Sequence, residues 1–245
     1  MKSLKKLSTL ILLAFSIFFT SCKKSKPEPV VTIPKNNIAY IYKTDNTDGL
    51  AYKTLLEEND CHVKLIDKSQ VAATVFTNYK LIVIDHNTDV TSLTPGWTNA
   101  DTVALQGSGK PMLLIGVGGL QYAAKIGNKA NYLNTTFWND TKFFVTDKTS
   151  TLYSKPYAIS IPTSTPAVTL YNTAMPGSGQ WVPAGGSLAN VTLIGRFNLA
   201  PTYYPVAFEK NRYFSFGFSK GVSDMTSDGK NFMVNLAYYV GNLSL

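Results

Sequence analysis

The sequence contains few of the residues that form disulfide bonds, bind transition metals or transfer protons near neutral pH. Among 245 residues there are two cysteines, Cys22 and Cys61, and two histidines, His62 and His86. Two cysteines exclude a disulfide framework. Cys61 begins an apolar stretch and is predicted to be a small buried hydrophobic residue. The scarcity of histidine argues against a transition-metal centre, and we expect no metal site.

The folded part also lacks a large basic excess. The formal net charge is +8, but seven of the 23 lysines and arginines lie in residues 1–35, together with a single acid, Glu28. From residue 36 onward, 16 basic residues are balanced by 14 acidic ones. The positive charge therefore belongs to the N-terminal segment, and it does not indicate nucleic-acid binding.

The N-terminus has the pattern of a targeting segment. Three lysines precede an apolar run, Leu7–Phe19, that is too short to span a bilayer comfortably. Small residues then lead directly into Cys22, which resembles a bacterial lipoprotein signal. In that interpretation residues 1–21 are the signal peptide and Cys22 is the lipidated first residue of the mature protein. An ordinary secretory signal with an incidental Cys22 is the alternative.

Residues 22–36 are predicted to be a lipid-anchored flexible tether. They are charged and rich in proline, which favours an extended chain that buries nothing. The lysines of the tether would lie beside anionic head groups, and the lipid would supply the rest of the membrane attachment. No acidic stretch of the kind used by some surface-exported lipoproteins follows Cys22. A periplasm-facing position in the cell envelope is therefore favoured over a surface-exposed one.

Residues 37–245 are predicted to form a single α/β domain. In the first half, apolar runs alternate with helical segments, and these runs are Ile38–Tyr42, Val63–Ile66, Tyr79–Ile84 and Met112–Ile115. This order predicts a mainly parallel sheet with helices on both faces. Residues 128–205 predict a β-rich, loop-rich insertion with strands such as 157–161 and 191–194.

Three local patterns complete the secondary-structure prediction. Asp48 is expected to cap a helix that buries Leu50 and the apolar residues after it. Residues 205–218 predict a hairpin. The final helix begins near Thr226 or Ser227 and carries an apolar stripe at helical spacing. Its members are Phe232, Met233, Leu236, Ala237 and Val240.

A strand, a glycine turn and a helix follow one another in Pro111–Gln121. This segment resembles the nucleophile elbow of the class I glutamine amidotransferase-like superfamily, P-x-L-G-I-C-x-G-x-Q, and the alignment puts Val117 at the position of the catalytic cysteine. The end of the chain is similar to superfamily members in which an arginine-aromatic strand precedes a final helix with an asparagine, here Arg212 and Asn235. The resemblance implies a flavodoxin-like, amidotransferase-like fold.

The resemblance also shows which catalytic groups are missing. A valine cannot act as a nucleophile, and the family's downstream His-x-Glu is absent because His62 and His86 both precede the elbow. We therefore expect no catalytic residues and no amidotransferase activity. The degenerate elbow, Gly116, Val117, Gly118, Gly119 and Gln121, places backbone N–H groups at a helix N-terminus. These groups are candidates for binding a small acidic ligand, unless the glycines only permit tight packing of strand against helix.

Polar residues follow the first and third predicted strands, at the end of the sheet where open α/β folds bind ligands. The candidate ligand-binding residues are Asp45, Asp48, Asp85, His86 and Asn87. A polar loop that caps the strand ends is the simpler interpretation. Asp45 and Asp48 would repel a phosphate, so no flavin, nucleotide or other cofactor is expected.

The leading hypothesis is a non-catalytic ligand- or protein-binding domain of a membrane-anchored lipoprotein. Its partner would be a glycan, a small acidic ligand or an envelope protein. Aromatic residues available for a glycan are Tyr153, Tyr157, Tyr171, Trp181, Tyr203 and Tyr204. One alternative is a hydrolase of glycans or peptides with a relocated nucleophile, near Ser187 or at Asp85 with His86. A structural module of a cell-envelope complex is the other alternative.

Overall fold

A computed structural model describes residues 35–43, 45–88, 96–131 and 135–244, except for the side chains of 135–137. The predicted signal peptide, Cys22 and the tether up to residue 34 lie outside these residues. Asn36, expected at the end of the tether, is instead buried and bonded to Ser244. No helix in the described ranges has the length and apolar character needed to cross a membrane.

The centre of the fold is a sheet of nine strands, counted over the described residues. Five of them run parallel. They are β1 (Asn37–Tyr42), β2 (His62–Asp67), β3 (Leu81–Ile84), β4 (Met112–Ile115) and β12 (Tyr213–Phe216). The other four extend the sheet by antiparallel pairing. They are β6 (Lys142–Val145), β7 (Ala167–Thr169), β9 (Val191–Arg196) and β11 (Val206–Glu209). The order across the sheet is β2-β1-β3-β4-β12-β11-β9-β6-β7.

The predicted insertion contributes strands to two sheets. Three of its strands extend the central sheet, while β5 (Thr135–Asp140), β8 (Met175–Trp181) and β10 (Tyr203–Tyr204) form a separate antiparallel sheet. The prediction of a strand at 191–194 is confirmed, but the prediction at 157–161 is wrong. That segment is held by Asn235 of the last helix, which accepts a hydrogen bond from the Tyr157 N–H at 2.9 Å and donates to the Tyr157 carbonyl at 2.7 Å.

Helices cover both faces of the sheet. On one face lie α1 (Thr47–Glu57) and α4 (Ser227–Gly241), and on the other lie α2 (Asn99–Gly107) and α3 (Gly116–Lys125). The central strands alternate their side chains between these two cores, so that Tyr40 faces α1 while Ile41 belongs to the opposite cluster. This arrangement confirms the predicted α/β class with a mainly parallel core and a β-rich insertion.

The sequence prediction is confirmed for the last helix and only partly for the first. Thr226 caps α4 by accepting a hydrogen bond from the Gly229 N–H, and the predicted apolar stripe is buried. The prediction for α1 is partly wrong: Asn46 precedes the helix, Asp48 lies in its first turn, and Leu50 is 49 % exposed. Burial of α1 depends instead on Tyr52 and Leu56.

The five parallel strands all begin on one side of the sheet and all end on the opposite side. The amino edge is where β1, β2, β3, β4 and β12 begin, and the carboxyl edge is where they end. Cys61, just before β2, is buried as predicted, and burial raises the pKa of its thiol to about 11. The candidate residues of the sequence analysis lie at the opposite, carboxyl edge.

Candidate functional site

The turn from β4 (112–115) into α3 (116–125) has the sharp geometry expected of an elbow. The residue in the left-handed backbone region is Gly116, with φ of +52°. The sequence alignment put the apex at Val117, but Val117 is already inside the first turn of α3. Because glycine has no side chain and valine has no reactive atom, neither register supplies a nucleophile.

The space beside Gly116 is filled by two other side chains. A Cβ added at Gly116 would lie 2.5 Å from Ser219 Oγ and 2.7 Å from His86 Cβ. Ser219 Oγ also accepts a hydrogen bond from the Val117 N–H at 3.2 Å. One N–H at the start of α3, predicted to be available for an acidic ligand, is therefore already engaged by a hydroxyl of the same chain.

Gly118 explains why the elbow is rich in glycine. A Cβ at this position would approach the Asp85 carbonyl oxygen and Thr88 Oγ1 to 2.4 Å each. The helix therefore packs directly on the turn that follows β3, which supports the packing interpretation of the glycines. Gln121, one turn further along α3, is buried.

Asp48 and His86 meet at the carboxyl edge. His86 Nε2 lies 2.7 Å from Asp48 Oδ2, and the two side chains are 17 % and 28 % exposed, respectively. The Asp48 carboxylate also lies against the loop after β12, because a Cβ at Gly221 would be 1.8 Å from Asp48 Oδ1. The pair is thus held between the first turn of α1, the turn after β3 and the loop after β12.

Asp85 lies beneath this pair and is completely buried. Its Oδ1 accepts a hydrogen bond from the His86 N–H at 2.7 Å, while Oδ2 has no partner of normal geometry among the described residues. Burial raises the pKa of the Asp85 carboxyl to about 6, although the charge of His86 and the hydroxyl of Tyr40 act in the opposite direction. The site therefore holds a carboxyl group that exchanges its proton near neutral pH.

Two tyrosines extend the buried polar cluster below Asp85. The rings of Tyr40 and Tyr52 pack with their centroids 5.2 Å apart. Burial raises the pKa of both hydroxyls well above the ordinary value, and Asp85 and Asp48 add to the effect. Neither hydroxyl has a hydrogen bond of normal geometry within the described ranges. Unsatisfied buried polar atoms are rare in proteins, and their grouping marks this region as unusual.

Asp45 and Asn87 make hydrogen bonds within the loops at the carboxyl edge. Asn87 donates to the Asp45 carbonyl at 2.8 Å and accepts from the Lys43 N–H at 3.0 Å. Asp45 accepts from the Thr47 N–H at 2.9 Å, and the hydrogen bonds from Thr47 lower the pKa of its carboxyl. These two residues brace the loop before α1 against the turn after β3.

The structure thus brings together Asp48, Asp85, His86 and the elbow, and it adds Ser219, which the sequence analysis missed. Ser187, considered there as a relocated nucleophile, is exposed in the loop between β8 and β9 and has no hydrogen bond to His86. Ser219 follows β12, whose parallel pairing with β4 places the two strand ends side by side. The only signal for Ser219 in the sequence is that its hydroxyl directly follows the predicted hairpin at residues 205–218.

The aromatic residues considered for glycan binding do not form one face. Tyr153 and Tyr171 are core residues with 4 % and 1 % exposure. Trp181 and Tyr157 are 49 % and 40 % exposed. They belong to different parts of the insertion, since Trp181 ends β8 and Tyr157 packs beside α4.

The described residues contain no cluster of three or more His, Cys, Asp or Glu side chains arranged to hold a metal ion. The Asp48–His86–Asp85 group also lacks the oxygen-rich ligand set of a calcium loop. Its chemistry is that of a hydrogen-bonded acid–imidazole pair over a buried carboxyl. Such a pair can bind a polar ligand or move a proton.

Comparison with known proteins supports the fold. Neither a protein-family model nor a curated protein matches this chain. A candidate GMP synthase component from Thermoplasma acidophilum is similar in structure, with a TM-score of 0.54, 12 % identity, and coverage of 84 % of this chain and 95 % of that one. PurLQS from Thermotoga maritima is similar with a TM-score of 0.55, 14 % identity, and coverage of 84 % and 99 %. The chain therefore shares the α/β fold of these two proteins.

The buried carboxyl predicts a specific pH dependence of stability. The pKa of Asp85 is about 6 in the folded protein against an ordinary 3.8, so the folded state binds the proton more tightly than the unfolded chain. Ionisation of Asp85 then lowers the free energy of unfolding as the pH rises through this interval. Asp85→Asn removes this loss. The stability of the variant relative to wild type should rise by about 2–3 kcal/mol between about pH 4 and 7, measured by urea unfolding.

Asp67→Asn is the matched control for this measurement. Asp67 ends the neighbouring strand β2, and hydrogen bonds from Ser69 lower the pKa of its carboxyl. Its contribution is present above the ordinary pKa and is lost only at lower pH, so the relative stability of this variant should not rise in the same interval. Parallel pH curves for Asp85→Asn and wild type would contradict the assignment.

Proposed function

We propose that this protein is a lipid-anchored cell-envelope protein whose amidotransferase-like domain binds a ligand or protein partner without catalysing a reaction. The binding surface is the carboxyl edge around Asp48 and His86. The observation that carries the proposal is the occupied elbow. The position of a nucleophile at Gly116 is filled by Ser219 Oγ and His86, and Ser219 Oγ takes the Val117 N–H.

The loss of chemistry follows from how these groups are used. An oxyanion is stabilised by backbone N–H groups that are free to point at the developing charge. Here the Val117 N–H points at Ser219 Oγ. A general base must face the proton that it removes, and no hydrogen bond joins the His86 ring to Ser219 Oγ among the described residues. The Val117 N–H and Ser219 therefore bond to each other, and His86 bonds to Asp48.

The character of the ligand follows from the charges at this edge. Asp45, Asp48 and Asp85 all lie within one or two turns of the site, and an elbow N–H is engaged by Ser219. A small anionic ligand is therefore disfavoured here. A neutral polar ligand such as a glycan, or a protein segment that presents a cation to Asp48, suits the carboxylate and imidazole better.

A serine hydrolase is the second candidate function. The observation in its favour is that Ser219, His86 and Asp48 converge beside the elbow. Serine, histidine and aspartate are the three residue types of a nucleophilic triad. Against it, no hydrogen bond joins Ser219 Oγ to His86 among the described residues. The distinction is testable, because an activated serine reacts with a fluorophosphonate and a hydroxyl that only fills space does not.

We expect the native protein not to be labelled by a fluorophosphonate probe. The measurement is intact mass after incubation, with an active serine hydrolase as the positive control and the Ser219→Ala variant in parallel. Neither wild type nor Ser219→Ala should gain mass from the probe. Stoichiometric labelling that disappears in both Ser219→Ala and His86→Ala would establish the hydrolase and refute the non-catalytic proposal.

Ligand binding is expected to raise the melting temperature of the mature chain, residues 22–245 with Cys22→Ser. In a thermal-shift screen of glycans, amino acids and calcium, a ligand at a hundred times its dissociation constant adds about 2.7 kcal/mol. This corresponds to a shift of several degrees for a domain of this size. Asp48→Asn should abolish the shift.

Asp147→Asn is the control for the screen, because Asp147 is also hydrogen-bonded in a loop, through Thr149, but is fully exposed and remote from the elbow. It should leave the shift unchanged. A ligand whose shift survives Asp48→Asn would place the binding surface elsewhere. The absence of a shift with every class would count against small ligands and favour a protein partner.

The lipid anchor predicts opposite behaviour for the two cysteines. Cys22→Ser should release the protein from the membrane fraction and remove the lipid from its mass, because the thioether is formed on Cys22. Cys61→Ser should change neither, since Cys61 is buried in the folded domain. Fractionation followed by mass spectrometry reads both results. A Cys22→Ser protein that stays in the membrane fraction with an unchanged mass would refute the lipoprotein assignment.

A further inference from the structure

The amino edge of the sheet carries a concentration of positive charge that the near-neutral composition of the folded part conceals. Six basic residues lie along it: Lys80, Lys110, Lys125, Lys129, Lys210 and Arg212. We call this set the basic edge. The positions of these residues, the groups that they contact and the distribution of the acidic residues indicate that this edge is a distinct surface.

Backbone contacts place the first members of the basic edge side by side. Lys80 directly precedes β3, and its N–H donates to the Asn37 carbonyl at the start of β1. Lys110 lies just before β4, and Arg212 just before β12. Arg212 Nε donates to the Lys110 carbonyl at 3.0 Å. These residues therefore precede consecutive strands of the parallel sheet.

The remaining members come from the end of α3 and from the β11–β12 turn. Lys125 is the last residue of α3, which returns from the carboxyl edge. The N–H of Lys129 donates to Glu209 Oε2 at 2.8 Å, and Lys210 Nζ donates to Asn128 Oδ1 at 3.0 Å. Both residues are therefore beside the turn. Lys210 Nζ also lies 3.4 Å from Oε1 of the buried Glu209, so Glu209 offsets the charge of Lys210 but not that of the other members.

Acidic residues are distributed differently. On the amino edge, within the described ranges, they are the buried Glu209 beside the β11–β12 turn and, at the β2 end, Glu57, Glu58 and Asp60. At the carboxyl edge, Asp45, Asp48, Asp67 and Asp85 follow or adjoin the ends of β1, β2 and β3. The folded domain is thus polarised, with one edge basic over several strands and the other mainly acidic.

The chain enters the fold at the basic edge. Asn36 is buried immediately before β1, and its side chain donates to the Ser244 carbonyl at 3.0 Å. The preceding part of the chain, which includes Cys22 and the lysines of the tether, therefore joins the fold beside Lys80. A lipid attached to Cys22 would bring this edge, rather than the acidic one, to the membrane.

We propose that the basic edge is a membrane-contact surface that binds anionic lipid head groups. The orientation rests on the proposed lipid anchor at Cys22, whereas the affinity of the edge for anionic lipid does not. Contact at this edge holds the Asp48–His86 surface on the far side of the sheet, facing away from the bilayer. A lipid-anchored domain then presents its binding surface to partners that do not lie in the same membrane.

The test compares two charge-reversal variants of the mature chain, residues 22–245 with Cys22→Ser. The basic-edge variant is Lys80→Glu, Lys125→Glu and Lys129→Glu. The control variant is Lys43→Glu, Lys220→Glu and Lys230→Glu. All six lysines are exposed and none of their ammonium groups has a hydrogen bond or ion pair in the described residues. The two variants have the same net charge and the same tether.

Binding is measured by co-sedimentation with vesicles of phosphatidylethanolamine and phosphatidylglycerol, and with phosphatidylcholine vesicles as a neutral reference. Each lysine near an anionic surface strengthens binding by roughly fivefold. Loss of three lysines alone should therefore weaken binding to the anionic vesicles about 100-fold relative to the parent chain, and the added glutamates should weaken it further. The control lysines lie at the carboxyl edge, which four to six residues of strand separate from the basic edge by roughly 13 Å or more. This is beyond the screening distance of about 8 Å, so their reversal should weaken binding less than about fivefold.

Three results would overturn the proposal: no binding of the parent chain to anionic vesicles, equal weakening by both variants, or equal binding to the neutral vesicles. Failure of the lipoprotein assignment is recognised separately, because it is read from the mass at Cys22. That result would remove the anchor but would leave the vesicle comparison valid.

The lipidated full-length protein provides a direct readout of orientation. A thiol-reactive fluorophore is placed at Lys129→Cys or, as the control, at Lys43→Cys at the carboxyl end of β1. Cys61 does not compete for the label, because burial raises its pKa to about 11. Nitroxide-labelled lipids should quench the probe at position 129 several-fold more than the probe at position 43. Stronger quenching at position 43 would show the reverse orientation and overturn the proposal.

Discussion

The region around the elbow depends on direct contact between the N-terminus of α3 and the turn at residues 85–88. A side chain at Gly118 would bring Cβ to 2.4 Å from two oxygens of that turn, so the contact exists only because glycine is present. The turn carries Asp85 and His86, and the start of α3 binds Ser219 through the Val117 N–H. Gly118 thus joins α3 to the turn after β3, while Gly116 leaves room for Ser219, which lies 102 residues beyond Val117. Closing the elbow and positioning the acid–imidazole pair are two results of the same close approach.

Local sequence patterns were sufficient for the framework but not for the site. The buried parallel strands, the final hairpin and the apolar stripe of α4 all follow from runs or spacings within a few residues. Leu50 was placed on the wrong face because the buried surface of α1 is decided by its tertiary partners, which favour Tyr52 and Leu56. Ser219 could not be found, because its position depends on the pairing of β12 with β4 across about a hundred residues of chain. The sequence predicts Asp48 and His86 at the same end of the sheet, but their direct pairing is known only from the folded structure.

Net charge is a poor guide to the surface of this domain. The sequence from residue 36 onward is nearly neutral, yet the basic and acidic residues collect at opposite edges of the sheet. This separation arises because parallel strands align all of their starts at one edge and all of their ends at the other. Any preference for lysine before strands and aspartate after them is multiplied by the number of strands. Composition averages the two edges, whereas a membrane or a ligand meets only one of them.

The hydrogen bond between Asn36 and Ser244 also has a mechanical consequence. The chain enters the fold directly into β1, which is paired on both sides, with β2 and with β3, by parallel ladders. A pulling force transmitted from residue 36 along the strand loads the bonds of both ladders together in shear, instead of peeling them one at a time. The hydrogen bonds between Asn36 and Ser244 carry part of the same force. The entry point of the domain therefore resists extension of the chain from its N-terminal side.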